Sequence, residues 1–371
     1  MPSDSRVVAV TGAAGFIGRN LVVRLREQGH EVRTLVRGST RQDMEAALSG
    51  ADTLFHLAGA VRPRDPDDFV QSVAFTNALV AQVATDGKCP LVVYSSSRKA
   101  DDQTPFGHAT RACENALLQL GGRGEATIAI YRLPNVFGKW ARPDYNSCVA
   151  TFCHNLARDL PIRIDDPDAP LCLLYVDDLI EQWCALLARR PAANGFQEAG
   201  GLHETNVGEV AAILTQFVEE RRRGHVGDVG AGLPRALYAT FIAALPAEAF
   251  SYELTAHTDP RGSFTEILKT RAGGQVSVLT AGPGVTRGGH YHHTKIEKFV
   301  VVHGEGRFRF RHILSGESFE MTATAARPMV VETIPGWTHD ITNTGDGMLV
   351  SLLWASEVFD PARPDTVLMP L

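Results

Sequence analysis

Apolar residues fall along this chain in two different rhythms. In the first, short unbroken apolar runs are separated by stretches of helical spacing. Val7-Val8-Ala9-Val10 is one such run, residues 16–28 read as a helix, and Glu31 to Val36 reads as a second strand. Thr53 to Leu57, Leu91 to Tyr94 and Thr127 to Tyr131 continue the series. Strands without polar alternation are those buried on both faces, so residues 6 to about 245 predict a doubly wound parallel α/β sheet covered by helices. From Phe250 onward strands become short and closely spaced, with turns such as Ala272-Gly273-Gly274 and His303-Gly304-Glu305-Gly306. That rhythm predicts an all-β barrel. The change falls in residues 244–252, which gives an expected division into 1–245 and 250–371.

Composition narrows the function classes. At 371 residues the chain is long enough for two domains, and 44% hydrophobic with 21% charged content suits a globular protein with a real core. A net charge of −6 without a basic run argues against nucleic acid. The six cysteines, at 89, 113, 148, 153, 172 and 184, form no CxxC pair. They read as reduced thiols rather than a disulfide framework. With no apolar leader and no run of membrane-spanning length, the expectation is a soluble cytoplasmic protein without a membrane partner.

Thr11-Gly12-Ala13-Ala14-Gly15-Phe16-Ile17-Gly18 lies between the first strand and the first helix. Glycines there allow a tight turn, close approach of a pyrophosphate and packing of helix on sheet, with the helix N-terminus facing the phosphates. The setting makes this half Rossmann-type and names Gly12, Gly15, Phe16, Ile17 and Gly18 as cofactor-binding. After the second strand comes Val36-Arg37-Gly38, with no acid before Asp43. An acid would accept the ribose hydroxyls of NAD; Arg37 favours the 2′-phosphate of NADP(H).

The second half carries His290-x-His292-x4-Glu297, followed by Pro335-Gly336-Trp337-Thr338-His339. Residues two apart on a strand share a face. Three imidazoles and one carboxylate suit Zn, Fe, Mn or Ni, and a centre not sealed by thiolates leaves room for substrate. His290, His292, Glu297 and His339 are therefore the expected ligands of one divalent ion, Zn foremost. The bland alternative is surface histidines, with Glu297 in a solvent ion pair.

Together with Gly284 and Gly304, these two motifs resemble those of the cupin superfamily, a double-stranded β-helix or jelly-roll barrel. In the first half, Asp52, Leu57-Ala58-Gly59, Ser95-Ser96-Ser97 and Arg132-Leu133-Pro134-Asn135-Val136-Phe137-Gly138 resemble the extended short-chain dehydrogenases that act on nucleotide-linked sugars. That resemblance implies that Asp52 meets the adenine, that Leu57, Ala58 and Gly59 border the cofactor, and that Ser96 and Ser97 join the catalytic set. It places Asn135 near the substrate diphosphate. The order of parts, with Asp144-Tyr145-Asn146-Ser147, the segment 259–266 and Phe359-Asp360-Pro361, resembles the CapF-type enzymes of bacterial capsule and O-antigen synthesis from end to end. Members act on UDP-linked 4-keto-6-deoxy-N-acetylhexosamines, the cupin domain epimerising C3 and the dehydrogenase domain reducing C4 with NADPH. The resemblance further implies Arg142, Tyr145 and Asn146 as substrate contacts, and a homodimer.

Two readings of the residues qualify this. Such reductases use the tyrosine of a Tyr-x-x-x-Lys pair as proton donor, and here Phe106 and Thr110 stand in its place. His108 or Lys99 is the candidate substitute. For the epimerisation, a C–H beside a ketone is acidic only if the enolate oxygen is stabilised, a task for Arg287, Lys298 and the metal. Arg287-Gly288-Gly289-His290-Tyr291 also resembles a segment of deoxysugar 3,5-epimerases whose histidine is the base. His290, as a ligand, is not free for that role, which leaves metal-bound hydroxide or His293 to consider, with Lys269 a lesser candidate for a chemical role. Three functions stay open: a cupin epimerase retaining an NADP(H)-binding domain, a bifunctional epimerase–reductase, and a non-catalytic NADP(H)-responsive binding protein.

Overall fold

The structure, a computed structural model, describes residues 5–60, 67–86, 90–191, 193–253, 256–259, 262–265, 269–270, 274–357 and 362–371. Cys89, the quoted segments 259–266 and 359–361, and the side chain of Lys269 lie wholly or partly outside the described residues. The chain forms two compact units, Met1–Val136 with Leu171–Glu204, and Phe137–Pro170 with Thr205–Leu371.

The first unit is a parallel sheet. Strands β1 (Val7–Thr11), β2 (Glu31–Leu35), β3 (Thr53–His56), β4 (Leu91–Ser97) and β5 (Thr127–Leu133) run in the order β2-β1-β3-β4-β5, and Gly195–Gln197 adds an edge. Every pairing is parallel. Helices α1 (Phe16–Glu27), α2 (Arg41–Leu48), α3 (Asp67–Asp86) and α4 (Pro105–Gly122) follow the first four strands. Two buried clusters line the two faces. One contains Val8, Val10, Leu21, Phe55, Val93 and Trp183; the other contains Ala9, Leu54, Val92, Leu117 and Ile130. Alternate strand residues feed opposite clusters, which is why the central strands are largely apolar, whereas the edge strand β2 carries exposed Glu31 and Thr34. The strand order reverses between β1 and β3, so the turn after β1 sits at the switch point where such sheets bind ligands.

A buried histidine ties that switch point together. His56 has no exposed surface, with Nδ1 2.8 Å from Thr11 Oγ1 and Nε2 2.9 Å from Thr76 Oγ1. Thr76 donates its hydroxyl hydrogen to Ser72 O, so it must accept from the ring, and Nε2 carries the proton. Nδ1 then accepts from Thr11. This leaves the lone pairs of Thr11 Oγ1 for the N–H groups of Leu57 and Ala58, each 3.1 Å away.

In the second unit two five-stranded antiparallel sheets form the barrel. One runs Ser251–Glu253, Met329–Glu332, Glu297–His303, Leu349–Ala355, Gln275–Ala281; the other runs Ser318–Thr324, Glu305–His312, Trp337–Asn343, Thr286–Tyr291, Val367–Leu368. Phe299 and Phe308, one from each sheet, meet at 5.7 Å. Segments before residue 245 also pack into this unit. The Trp140 ring lies 6.0 Å from that of His312, and a Cβ on Gly336 would come within 2.7 Å of the same indole. Arg221, on the helix Val207–Arg222, reaches Glu332 at 2.6 Å. Glu332 is fully buried and also meets Lys298 Nζ at 2.5 Å. Among the described residues no helix is long and apolar enough to cross a membrane.

Two consequences can be measured. Burial lowers the His56 pKa from 6.5 to about 4. Above pH 6.5 both states are neutral; between 6.5 and 4 the unfolded chain binds the extra proton, so folding weakens as pH falls through that window. Against a His56→Gln variant, the wild type's stability advantage should shrink by about 3 kcal/mol from pH 7 to pH 4 in chemical denaturation. Separately, Lys298→Ala leaves Glu332 buried with half its compensation. It should destabilise the barrel unit by about 3 kcal/mol, read as a lower denaturation midpoint.

Candidate functional site

Alternation brings the barrel cluster together, and one irregularity corrects it. Arg287 pairs with Ile341 and Gly288 with Asp340, but His290, not Gly289, pairs with His339. The extra residue is a β-bulge, and Gly288 and Gly289 adopt φ of 101° and 75°, which glycine tolerates best. Without it Arg287 and His290 would face opposite sides. With it both share the face of Ile341 and His339, which looks into the barrel. Tyr291 ends the strand, and His292 opens the turn leading to Glu297 on the other sheet.

The cluster draws on both sheets. Ring centroids of His290 lie 4.9 Å from those of His292 and His339, and the latter two are 5.3 Å apart. Glu297 Oε2 is 3.3 Å from His292 Nε2 and 3.5 Å from His339 Nε2. Both nitrogens are buried without a hydrogen-bond partner. One ligand atom from each of the four residues falls within 4.8 Å of the others. Donors about 2.1 Å from a common tetrahedral ion would stand about 3.4 Å apart, so the donor set fits a metal. Charge states agree. Burial and the neighbouring His339 and His292 rings lower the His290 pKa to about 4. Burial also depresses His339. Burial pushes Glu297 upward, yet His292 and His339 hold it well below the usual carboxylate range. The neutral form favoured for His290 and His339 and the ionised form of Glu297 are those a divalent ion requires.

Other expected barrel residues separate. Arg287 is exposed on the interior-facing side, donating to Thr280 O at 3.1 Å. Lys298 does not join the centre. One residue beyond Glu297 on the strand, it points to the other face, where Glu332 and Tyr252 take its Nζ at 2.5 and 3.2 Å. Burial opposes its charge, but the Glu332 carboxylate raises its pKa above the ordinary lysine value, so it is neither base nor mobile donor. The His293 ring packs on Tyr291 at 5.5 Å.

In the parallel-sheet unit, a Cβ on Gly12 (φ 65°) would lie 2.8 Å from Leu57 and Ala58, and one on Gly18 would lie 2.2 Å from Gly12 O. The turn is thus pressed between β3 and α1. Gly15 caps α1 without a side chain, leaving the first-turn amides of the helix begun by Phe16 and Ile17 directed outward. Gly59 follows in the segment after β3. Arg37 stands just past the end of β2, exposed, its guanidinium 3.2 Å from Asp68.

Three expectations in this unit need correction. Asp52 precedes β3, at the opposite end of the strands from the glycine turn, and its carboxylate accepts the Val7 N–H at 2.8 Å. Parallel strands present a cofactor at their C-terminal ends, so this residue cannot meet the adenine. Ser96 is buried, bonded to Glu114, which Arg132 grips at 2.9 and 2.7 Å; alternation along β4 gives Ser97 the other face. His108 lies about 200° around α4 from Phe106, because each residue turns a helix by about 100°. It is exposed and bonded to Gln103 at 3.1 Å, while Thr110 is buried and donates back to Phe106 O. His108 therefore cannot take the absent tyrosine's place, and Lys99 is exposed in the short turn after β4.

Among expected substrate contacts, Asn135 is exposed in the first unit. Arg142, Tyr145 and Asn146 are exposed in the second, with the Arg142 guanidinium 5.2 Å from the Tyr145 ring centre. Sequence reasoning missed Asp365, whose carboxylate accepts three consecutive backbone N–H groups beside His292. No short-range spacing links it to the motif.

Comparison with known proteins agrees with this architecture. Residues 8–197 match the NAD dependent epimerase/dehydratase family, and residues 257–367 match the polysaccharide biosynthesis C-terminal domain. The chain is 45% identical over 361 residues to UDP-2-acetamido-2,6-beta-L-arabino-hexul-4-ose reductase of Pseudomonas aeruginosa, covering 97% of each. It is similar to the capsular polysaccharide assembling protein CapF of Staphylococcus aureus, with a TM-score of 0.68 and 36% identity over 98% of this chain and all of that one. UDP-glucose 4-epimerase of Thermotoga maritima, 22% identical with a TM-score of 0.51, matches 57% of this chain and 82% of its own, and shares the fold. A Rossmann-type dehydrogenase half followed by a cupin barrel, matched along nearly its whole length, makes this chain a member of the CapF-type nucleotide-sugar epimerase/reductase family.

Proposed function

We propose that the barrel epimerises a UDP-linked 4-keto-6-deoxy-hexosamine at C3, and that the dehydrogenase half binds NADP(H) without efficient reduction of the C4 ketone. The division of labour follows the boundary between residues 245 and 250. The observation carrying this reading is the convergence of His290, His292, Glu297 and His339 on the barrel face shared with Arg287. In this reading those four residues hold one divalent ion, Zn foremost. Bound there, the ion supplies Lewis acidity toward a carbonyl oxygen. Arg287, exposed on the same face, offers its guanidinium to the nucleotide diphosphate or to the oxygen that gains charge as the C3 proton leaves. Asn135, Arg142, Tyr145 and Asn146 are assigned to the substrate.

Loss of reduction rests on helix geometry. Phe106 and Thr110 occupy the inward phase of α4 and offer no titratable proton, and His108 faces elsewhere. Ser97 keeps its place at the end of β4, its Oγ accepting the Lys99 N–H at 3.2 Å. The second reading is a bifunctional epimerase and NADPH-dependent reductase. It is favoured by the 45% identical Pseudomonas protein, which is named a reductase.

Mass spectrometry of a UDP-4-keto-6-deoxy-HexNAc after incubation with NADPH in D₂O separates these readings. The expected product gains deuterium and keeps its ketone, with NADPH unconsumed. Reduction of the ketone would replace the first reading by the second, and a substrate recovered without deuterium would sink the epimerase. For the cofactor, Arg37→Asp should weaken NADPH binding about 10- to 100-fold while leaving NADH nearly unchanged, as followed by nicotinamide fluorescence.

A further inference from the structure

The C-terminal segment 362–371 is stitched to the barrel beside every part of the His/Glu cluster. Val367–Leu368 pairs with Tyr291 and His290. Met369 donates its N–H to Gly289 O at 2.8 Å and accepts from the Thr338 hydroxyl at its carbonyl. Arg311 reaches Pro370 O at 2.8 Å, and Lys295 Nζ reaches Thr366 Oγ1 at 3.0 Å. These bonds touch the neighbours of His290, His339 and Glu297.

Asp365 is the densest knot. Its Oδ1 accepts from His293 N at 2.8 Å, and its Oδ2 accepts from Thr294 N, Lys295 N and Thr294 Oγ1 at 2.6, 2.7 and 2.9 Å. The three amides belong to the turn that carries the chain from His292 toward Glu297. The backbone carbonyl of Asp365 meets His292 Nδ1. A carbonyl can only accept, so Nδ1 bears a hydrogen, and in the neutral ring Nε2 then keeps its lone pair. That Nε2 is the buried, unbonded atom facing Glu297.

We infer that Asp365 is a positioning residue for the metal centre: its carboxylate fixes the turn between His292 and Glu297, and its carbonyl fixes the His292 tautomer that leaves Nε2 for the ion. The inference rests on the metal reading given above. It differs from a stabilising role because two distinct groups of one residue act around the same ligand, one on the turn that follows it and one on its ring. Outer groups that orient ligating histidines alter metal affinity by about 10- to 100-fold.

The test uses the full chain stripped of metal and loaded with Co(II) or Zn(II). Affinity is read by competition with a chromophoric chelator, and geometry by the Co(II) visible spectrum. Asp365→Asn, which sets an amide against amide donors, should lose about 10- to 100-fold in affinity and change the cobalt spectrum. Asp365→Glu, keeping the charge, should recover part of both. Should the asparagine variant not fold, Thr294→Val removes a single bond to the same carboxylate and should lower affinity by a smaller factor. Asp365→Asn with wild-type affinity and spectrum, even with a lowered melting temperature, overturns the proposal. A wild-type chain that binds neither ion overturns the metal reading and this inference together.

Discussion

Glu297 sits between two β-sheets as an ionised carboxylate with two imidazole nitrogens within 3.5 Å, and the barrel's functional end is arranged around that charge. Taking a carboxylate out of water costs several kcal/mol unless donors or cations meet it. Four of the places where the chain solves this show four different partner sets. Imidazoles face Glu297, two cationic side chains face Glu332, an arginine and a serine face Glu114, and a row of backbone amides faces Asp365. The partner type decides what each site can do. Cations and a carboxylate already matched, as at Glu332, make a rigid joint. Imidazoles with lone pairs still directed inward leave room for a further positive charge.

How much of this was legible in the sequence depends on how local each interaction is. The glycine turn after β1 is contained within eight residues, so its local geometry could be read directly. His290 and His292 are two apart, and Pro335-Gly336 announces His339. Asp52 and His108 look plausible from spacing alone, but strand polarity excludes the first and helical phase the second. Both follow from simple geometry once an element's direction is known. Lys298 and Asp365 are different. Lys298 is next to a ligand in sequence yet belongs to the opposite face, and its partner Glu332 comes from another strand. Asp365 reaches the cluster through a strand pairing that no short pattern encodes.

The bulge at Gly288-Gly289 shows how a small departure from regularity sets chemistry. Two glycines in left-handed conformations insert one residue, and the face shown by everything upstream is exchanged. Arg287 thereby shares a face with the histidines. In the other unit, the uncharged His56 plays a comparable local part. It holds Thr11 so that one hydroxyl can receive two amides beside the dinucleotide turn.

Because His290, His339 and Glu297 come from both sheets, the four-residue cluster is not complete until the barrel closes. A chain still being made offers His290, His292 and Glu297 close together in sequence, but without the fixed geometry that would discriminate between ions. His339, from a much later segment, joins them only after antiparallel pairing has met the entropy of closing the intervening loop. On the metal reading proposed above, choice among ions would therefore fall to the finished fold, whose fixed nitrogens can reject an ion of the wrong geometry.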